Sequence, residues 1–152
     1  MPSHHETQTL PYTPRQLFAL VADVEAYPQF LPWCSAVRIL ERGENSFLAE
    51  LSINFKGFPG NYVSRVTLHP PEEEMGLCAI EVVAVRGPFT HLSNRWRFSP
   101  LEGGGACVDF ALDFSFRSGL LERMIGPLFA RATGTMVKAF KERAERLYGA
   151  AG

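Results

Sequence analysis

Net charge is almost absent from this 152-residue sequence, in which 15 basic residues meet 16 acidic ones and leave −1. So balanced a chain exerts no global pull on nucleic acid or on an anionic membrane, and any such attraction must be local. Cysteine is scarce as well. Cys34, Cys78 and Cys107 are odd in number, widely spaced and without a CxxC pair, so neither a disulfide framework nor a zinc site is suggested, and a reducing compartment fits best. No run of about 18 apolar residues occurs, and the polar start Met1 to Gln8 lacks a signal-peptide core. The expectation is a cytoplasmic protein that neither spans a membrane nor is exported. Internal repeats, low-complexity stretches and linkers are also missing, so residues 1–152 read as one domain, long enough to bury about two-thirds of its unfolded surface.

Polar chemistry of the catalytic kind is sparse. Asp109 and Asp113 are the most tempting acid pair, but four strand residues separate them by about 13 Å, beyond the roughly 5–10 Å that paired glycosidase carboxylates need. They also alternate away from the aromatic face. His69 and His91 stand apart without a nucleophile motif, and His4-His5 lies at the terminus. Gly103 to Gly105 precede a strand rather than a helix, which makes them a hairpin turn and not a phosphate loop. The sequence therefore predicts no catalytic residues, no metal site and no enzyme. A cyclase or hydrolase on the same fold is the alternative, because a fold alone does not dictate function.

What the sequence does contain is apolar periodicity. His4 to Leu10 suits a short first strand. Thr13, Pro14 and Gln16 then form a helix start, with Thr13 as cap, Pro14 at the first helical position and Gln16 as the reciprocal capping-box partner. That helix should bury Leu17, Leu20, Val21 and Val24 and end at Tyr27-Pro28, where the residue before proline is pushed out of the helical region. Phe30, Leu31 and Trp33 follow as an apolar knot around Pro28 and Pro32, either a core plug or a pocket wall. From Ser35 to Arg117 the period becomes two, and six candidate strands succeed one another with glycine or proline at the joins. In Phe47, Ala49, Leu51, Ile53 and Phe55 every second residue is apolar. Leu92, Trp96 and Phe98 share a face around Asn94. Val108, Phe110, Leu112, Phe114 and Phe116 alternate with Cys107, Asp109, Ala111, Asp113 and Ser115, giving one buried face and one wet face.

Helical spacing returns from Ser118 to Tyr148. Leu121, Ile125, Leu128, Phe129, Ala132, Met136, Phe140, Ala144 and Leu147 fall on one side, opposite Arg123, Arg131, Lys138, Lys141, Glu142, Glu145 and Arg146. The sheet is the only apolar surface large enough to receive that face, so the predicted class is α+β, one long helix packed across an antiparallel sheet. Gly126-Pro127 should bend the helix or restart it. Between Arg117 and Tyr148 seven basic and three acidic residues give +4, which leaves −5 on the rest of the chain. The stripe is either an ordinary solvated face with Lys141 and Glu145 paired at i,i+4, or a contact for anionic lipid or ribosomal RNA.

The segments DVEAYPQFLPWCSAVRIL (23–40), INFKGF (53–58), RGPFTHLSNRWRFSPL (86–101), LDFSFRSGLLERMIG (112–126) and MVKAFKERAERLYG (136–149) resemble the coenzyme Q-binding START-domain family. That family lies within the polyketide cyclase/START-like superfamily, and the likeness extends over nearly the whole chain. It implies a helix-grip fold, a curved antiparallel sheet wrapped around the long C-terminal helix with a cavity between them. The implied function is to carry an isoprenoid quinone, most simply ubiquinone as a bound ligand with no other cofactor, in support of respiration. The alternative within the family is a ribosome-association toxin that binds the large ribosomal subunit and inhibits translation.

For the cavity wall the expected residues are Trp33, Phe55, Trp96, Phe98, Phe110, Phe114, Phe129, Met136, Val137 and Phe140; the same aromatics would otherwise simply fill a core. Gly57, Phe58 and Gly60 in KGFPG suit a gating loop, against the plainer reading of a hairpin turn. Leu120 and Met124 fall on the charged face of the helix beside Arg117 and Arg123, which suits transient contact with a membrane surface, peripheral at the inner membrane. A helix that begins only near Pro127 would instead turn both inward. The expected partners are thus an isoprenoid quinone or similar lipid, a membrane surface, or in the alternative the ribosome; DNA is not among them.

Overall fold

The computed structural model describes residues 3–55 and 57–149. Strand β1 (Ser3–Leu10) leads into helix α1 (Pro14–Ala22). Thr13 caps α1 with a full capping box: the Gln16 N–H donates to Thr13 Oγ1 at 3.1 Å, and the Thr13 N–H donates to Gln16 Oε1 at 2.9 Å. Leu17, Leu20 and Val21 are buried on its inner side. The helix ends earlier than the proline predicts. Asp23 leaves helical geometry at ψ 70, and Val24–Gln29 form a 3₁₀ turn that contains Pro28 and buries Val24 and Tyr27. The tighter 3₁₀ winding accommodates the ring that an α-helix interior would not.

Six more strands follow: β2 (Cys34–Arg42), β3 (Ser46–Phe55), β4 (Phe58–His69), β5 (Cys78–Arg86), β6 (Phe89–Pro100) and β7 (Ala106–Phe116). All pair antiparallel, in the order β1-β7-β6-β5-β4-β3-β2, so the first strand closes onto the last and the others form a meander. The predicted alternation holds on β3 and β7, whose apolar residues are buried in steps of two. Two glycines are required by their turns. Gly87, at φ 136, would place a Cβ 2.6 Å from the Tyr62 Cβ, and Gly105, at φ 82, would place one 2.6 Å from the Leu10 carbonyl oxygen.

The C-terminal segment is three helices rather than one: α2 (Gly119–Met124), α3 (Gly126–Gly134) and α4 (Met136–Tyr148). The first break falls at Ile125, before Gly126-Pro127, where a bend was predicted. The second, at Thr135, was not. Thr133 Oγ1 donates to the Phe129 carbonyl at 2.8 Å and Thr135 Oγ1 to the Ala132 carbonyl at 2.8 Å, and such threonine back-bonding competes with the helical ladder and bends it. Ile125, Phe129, Met136, Val137, Phe140 and Ala144 face the sheet and are buried. Leu147, predicted on that face, is half exposed. The Tyr148 hydroxyl ties that turn to the Gln16 carbonyl at 3.1 Å, and the Tyr12 hydroxyl to that of Gly149 at 2.7 Å.

Candidate functional site

Between the concave face of the sheet and helices α3 and α4 lies a cavity of about 60 Å³. Of the aromatic residues predicted to wall it, Trp33, Trp96, Phe110 and Phe129 do so, together with Met136. Phe98, Phe114, Val137 and Phe140 do not. They are buried in solid packing instead, since ring-on-ring contacts occupy the space: Phe98 stacks on Trp96 at 6.1 Å, Phe114 meets Phe129 at 4.6 Å, and Phe140 sits edge-on to Trp96 at 5.0 Å and to Tyr27 at 5.2 Å. Phe55 lies at the boundary. Its ring stacks on Trp33 at 5.6 Å and meets Phe129 at 5.5 Å.

Two grooves open outside that boundary. One, of about 390 Å³, runs between the Leu31-Pro32-Trp33 knot and α3–α4, with Leu128 and Ala132 on its helical wall and Arg131 at its rim. The other, of about 240 Å³, lies between the β3–β4 hairpin and α2, lined by Phe55, Pro59, Gly60, Phe116, Leu121 and Ile125 among others. Trp33 is shared by the cavity and the first groove, and Phe55 by the two grooves. Two stacked rings therefore partition the inner space from the outer ones. The proline knot is both plug and wall: Leu31 is fully buried while Pro32 is exposed.

The segment predicted as a gating loop is a tight hairpin. Phe55 pairs with Phe58, Gly57 turns the chain at φ 91 with its N–H donating to Asn54 Oδ1 at 2.8 Å, and Gly60 already belongs to β4, opposite Ile53. Lys56 and the Phe58 side chain lie outside the described residues. Leu120 and Met124, on α2, are 59% and 43% exposed, as their place on the charged face predicts, and the start of the helix at Gly119 removes the alternative in which they turn inward.

The cavity is uncharged, but it is not wholly apolar. Tyr27, Tyr62, Ser64, Asn94 and Thr133 contribute to its wall, and none of these stood among the predicted site residues. Asn94 interrupts an apolar face that the sequence displays, and Ser64 occupies an inward position between Tyr62 and Val66, so a polar residue in apolar phase was the available signal. Burial holds the Tyr27 and Tyr62 hydroxyls well above the ordinary tyrosine range, and Tyr27 donates to the Val21 carbonyl at 2.5 Å. Asp109 points to the outer face, where His5 reaches it at 2.7 Å. Cys34, Cys78 and Cys107 are free, and no cluster of metal-ligating side chains occurs among the described residues. Such a wall can receive an apolar body with a small uncharged polar end.

Comparison with known proteins agrees with this geometry. Residues 10–141 match the family model described as polyketide cyclase / dehydrase and lipid transport. The ribosome association toxin RatA of Rickettsia prowazekii is 40% identical over 147 residues, 97% of this chain and 99% of that protein. The mitochondrial coenzyme Q-binding protein COQ10 homolog B of Xenopus laevis is 32% identical over 149 residues, 96% of this chain and 59% of that one. Among solved structures, the ZhuI aromatase/cyclase of Streptomyces sp. R1128 superimposes with a TM-score of 0.82 over 99% of this chain and 98% of that one, at 22% identity. Its likeness is one of fold. A seven-stranded antiparallel sheet gripping C-terminal helices around an uncharged cavity, with the family pattern extending from residue 10 to 141, places this chain in the polyketide cyclase / dehydrase and lipid transport family.

Proposed function

We propose that this chain associates with the ribosome, in the manner that the name of its Rickettsia relative describes for that protein. The observation that carries the reading is end-to-end identity of 40% with that relative, higher than the 32% shared with the coenzyme Q-binding homologue. The helical side supplies a surface suited to ribosomal RNA. Arg123, Arg131, Lys138, Lys141 and Arg146 are exposed along α2 to α4, and clustered cations displace the counterions of a phosphate backbone. No catalytic step is part of this reading. Sedimentation of the purified protein with ribosomal subunits through sucrose gradients tests it. The wild-type chain should travel with a subunit, and Arg131→Glu with Lys138→Glu should release it while leaving the circular dichroism unchanged. A wild-type chain that stays at the top of the gradient at low salt overturns the proposal.

A second reading, as carrier of an isoprenoid quinone or similar lipid, is favoured by the cavity and its two grooves. The inner cavity of about 60 Å³ suits only the tip of such a ligand, and the tail would lie beyond Trp33 and Phe55 in the grooves. Met136 faces the cavity, so Met136→Glu places a carboxylate in an uncharged wall, which is costly unless it is paired or protonated. Mass spectrometry of organic extracts should find a prenyl lipid on the wild-type protein and at least tenfold less on the variant. An extract free of lipid sinks this second reading and leaves the first intact.

A further inference from the structure

Ser64 is 1% exposed, lines the cavity, and its Oγ has no hydrogen-bond partner. A hydroxyl stripped of water and left unpaired is a cost that alanine or valine would avoid at the same inward position. Its orientation is built in. The register of β4 against β3 is unbroken here, with Tyr62 opposite Leu51, Ser64 opposite Ala49 and Val66 opposite Phe47, so period-two alternation aims all three inward. Tyr62, Ser64 and Val66 are accordingly buried on one face.

Of the other polar residues on this wall, Tyr27, Tyr62, Asn94 and Thr133, the last two complement Ser64. Asn94, on β6, donates from Nδ2 to the Ala111 carbonyl at 2.9 Å; because a carbonyl only accepts, the amide cannot be turned over, which leaves Oδ1 as an acceptor and the second Nδ2 hydrogen as a donor. Thr133, on the opposing helix α3, spends its hydroxyl proton on the Phe129 carbonyl and can only accept from a ligand. Asn94 Oδ1 and Thr133 Oγ1 therefore accept, the second Asn94 Nδ2 hydrogen donates, and the Ser64 hydroxyl can do either. No charged side chain lines it, so a charged head group would find no counter-ion.

We propose that Ser64, with Asn94 and Thr133 on the wall of the same cavity, forms a subsite that binds the hydroxyl-bearing, uncharged end of an apolar ligand. An alcohol or phenol fits, since its O–H supplies the donor that Asn94 Oδ1 and Thr133 Oγ1 lack and its oxygen accepts from Ser64. An ether or a carbonyl can accept from Ser64 or from the second Asn94 Nδ2 hydrogen but offers no proton, so Asn94 Oδ1 and Thr133 Oγ1 gain no partner from it. The inference rests on the second reading above, that the cavity takes a lipid.

Calorimetric titration of the purified protein with trans,trans-farnesol and with farnesyl methyl ether tests it, because the two share a tail and differ in one proton. The wild-type protein should bind the alcohol about tenfold more tightly than the ether, the worth of one hydrogen bond. Ser64→Ala should weaken alcohol binding and melt no lower than wild type, since it removes an unpaired buried hydroxyl. Asn94→Leu should abolish the preference for alcohol over ether, and the outer-face control Ser93→Ala should preserve it. Equal affinity for both probes, or a Ser64→Ala protein that binds the alcohol as wild type does, overturns the subsite while the carrier reading stands. Binding of neither probe removes the carrier reading and the subsite with it.

Discussion

Phe129 and Val137 illustrate how differently two buried residues of the same helical segment are used. Phe129 meets Phe55, Phe89, Phe114 and Phe116 at 4.6–5.9 Å and also lines the cavity, so one ring joins core to site. Val137 is equally buried but touches no part of the cavity, and a carboxylate there would unsettle the core instead of reporting on a ligand. Cys34 allows a prediction at this scale. Burial pushes its thiol up to about 11 from an ordinary 9.0, against a smaller lowering by the Ala36 backbone, and Cys78 is likewise pushed up to about 11. A pKa raised in the folded state favours the protonated form. The stability it contributes is thus fully present below pH 9 and is lost as pH rises through about 11. Iodoacetamide at pH 8 should therefore modify Cys107, which is partly exposed on the outer face, well before Cys34 or Cys78, as peptide mapping by mass spectrometry would show. Rapid labelling of Cys34 in the folded protein would contradict its burial.

At the scale of elements, α2 is the helix least committed to the core. None of its residues is buried, whereas α3 and α4 bury one face. Ser118 caps it by accepting from the Leu120 and Leu121 N–H groups at 3.2 and 3.3 Å. Leu121 turns toward the groove beside the β3–β4 hairpin, and Leu120 and Met124 turn outward next to Arg123. Exposed apolar side chains rimmed by a cation suit the headgroup boundary of an anionic bilayer. Leu120→Ser with Met124→Ser should abolish co-sedimentation with phosphatidylglycerol-containing vesicles and shift the melting temperature by no more than a degree or two, because exposed sites contribute little to stability. Unchanged vesicle binding by a folded double variant would leave α2 as a simple cover to the groove. No helix among the described residues is long and apolar enough to cross a membrane.

At the scale of the whole molecule, the elements were legible in the sequence and much of the site was not. Alternation and capping act between residues a few positions apart, which is why the strand faces of β3 and β7, the Thr13–Gln16 box and the bend at Gly126-Pro127 follow from the chain alone. The 3₁₀ turn around Pro28 and the break at Thr135 depend on how local hydrogen bonds compete, and periodicity carries no sign of them. Which aromatic rings bound the cavity, and which fill the space beside it, was decided by contacts between residues far apart in the chain. The curvature of seven paired strands and the meeting of Trp33, Phe55 and Phe129 leave about 60 Å³ within and two grooves without. Period-two alternation says that a residue faces inward, but inward positions on a curved sheet meet helix, ring or void according to strand register. Ser64 is the sharpest case: the sequence displays a serine in apolar phase between Tyr62 and Val66, and only the packing opposite β4 turns that serine into an unpaired hydroxyl at a cavity wall.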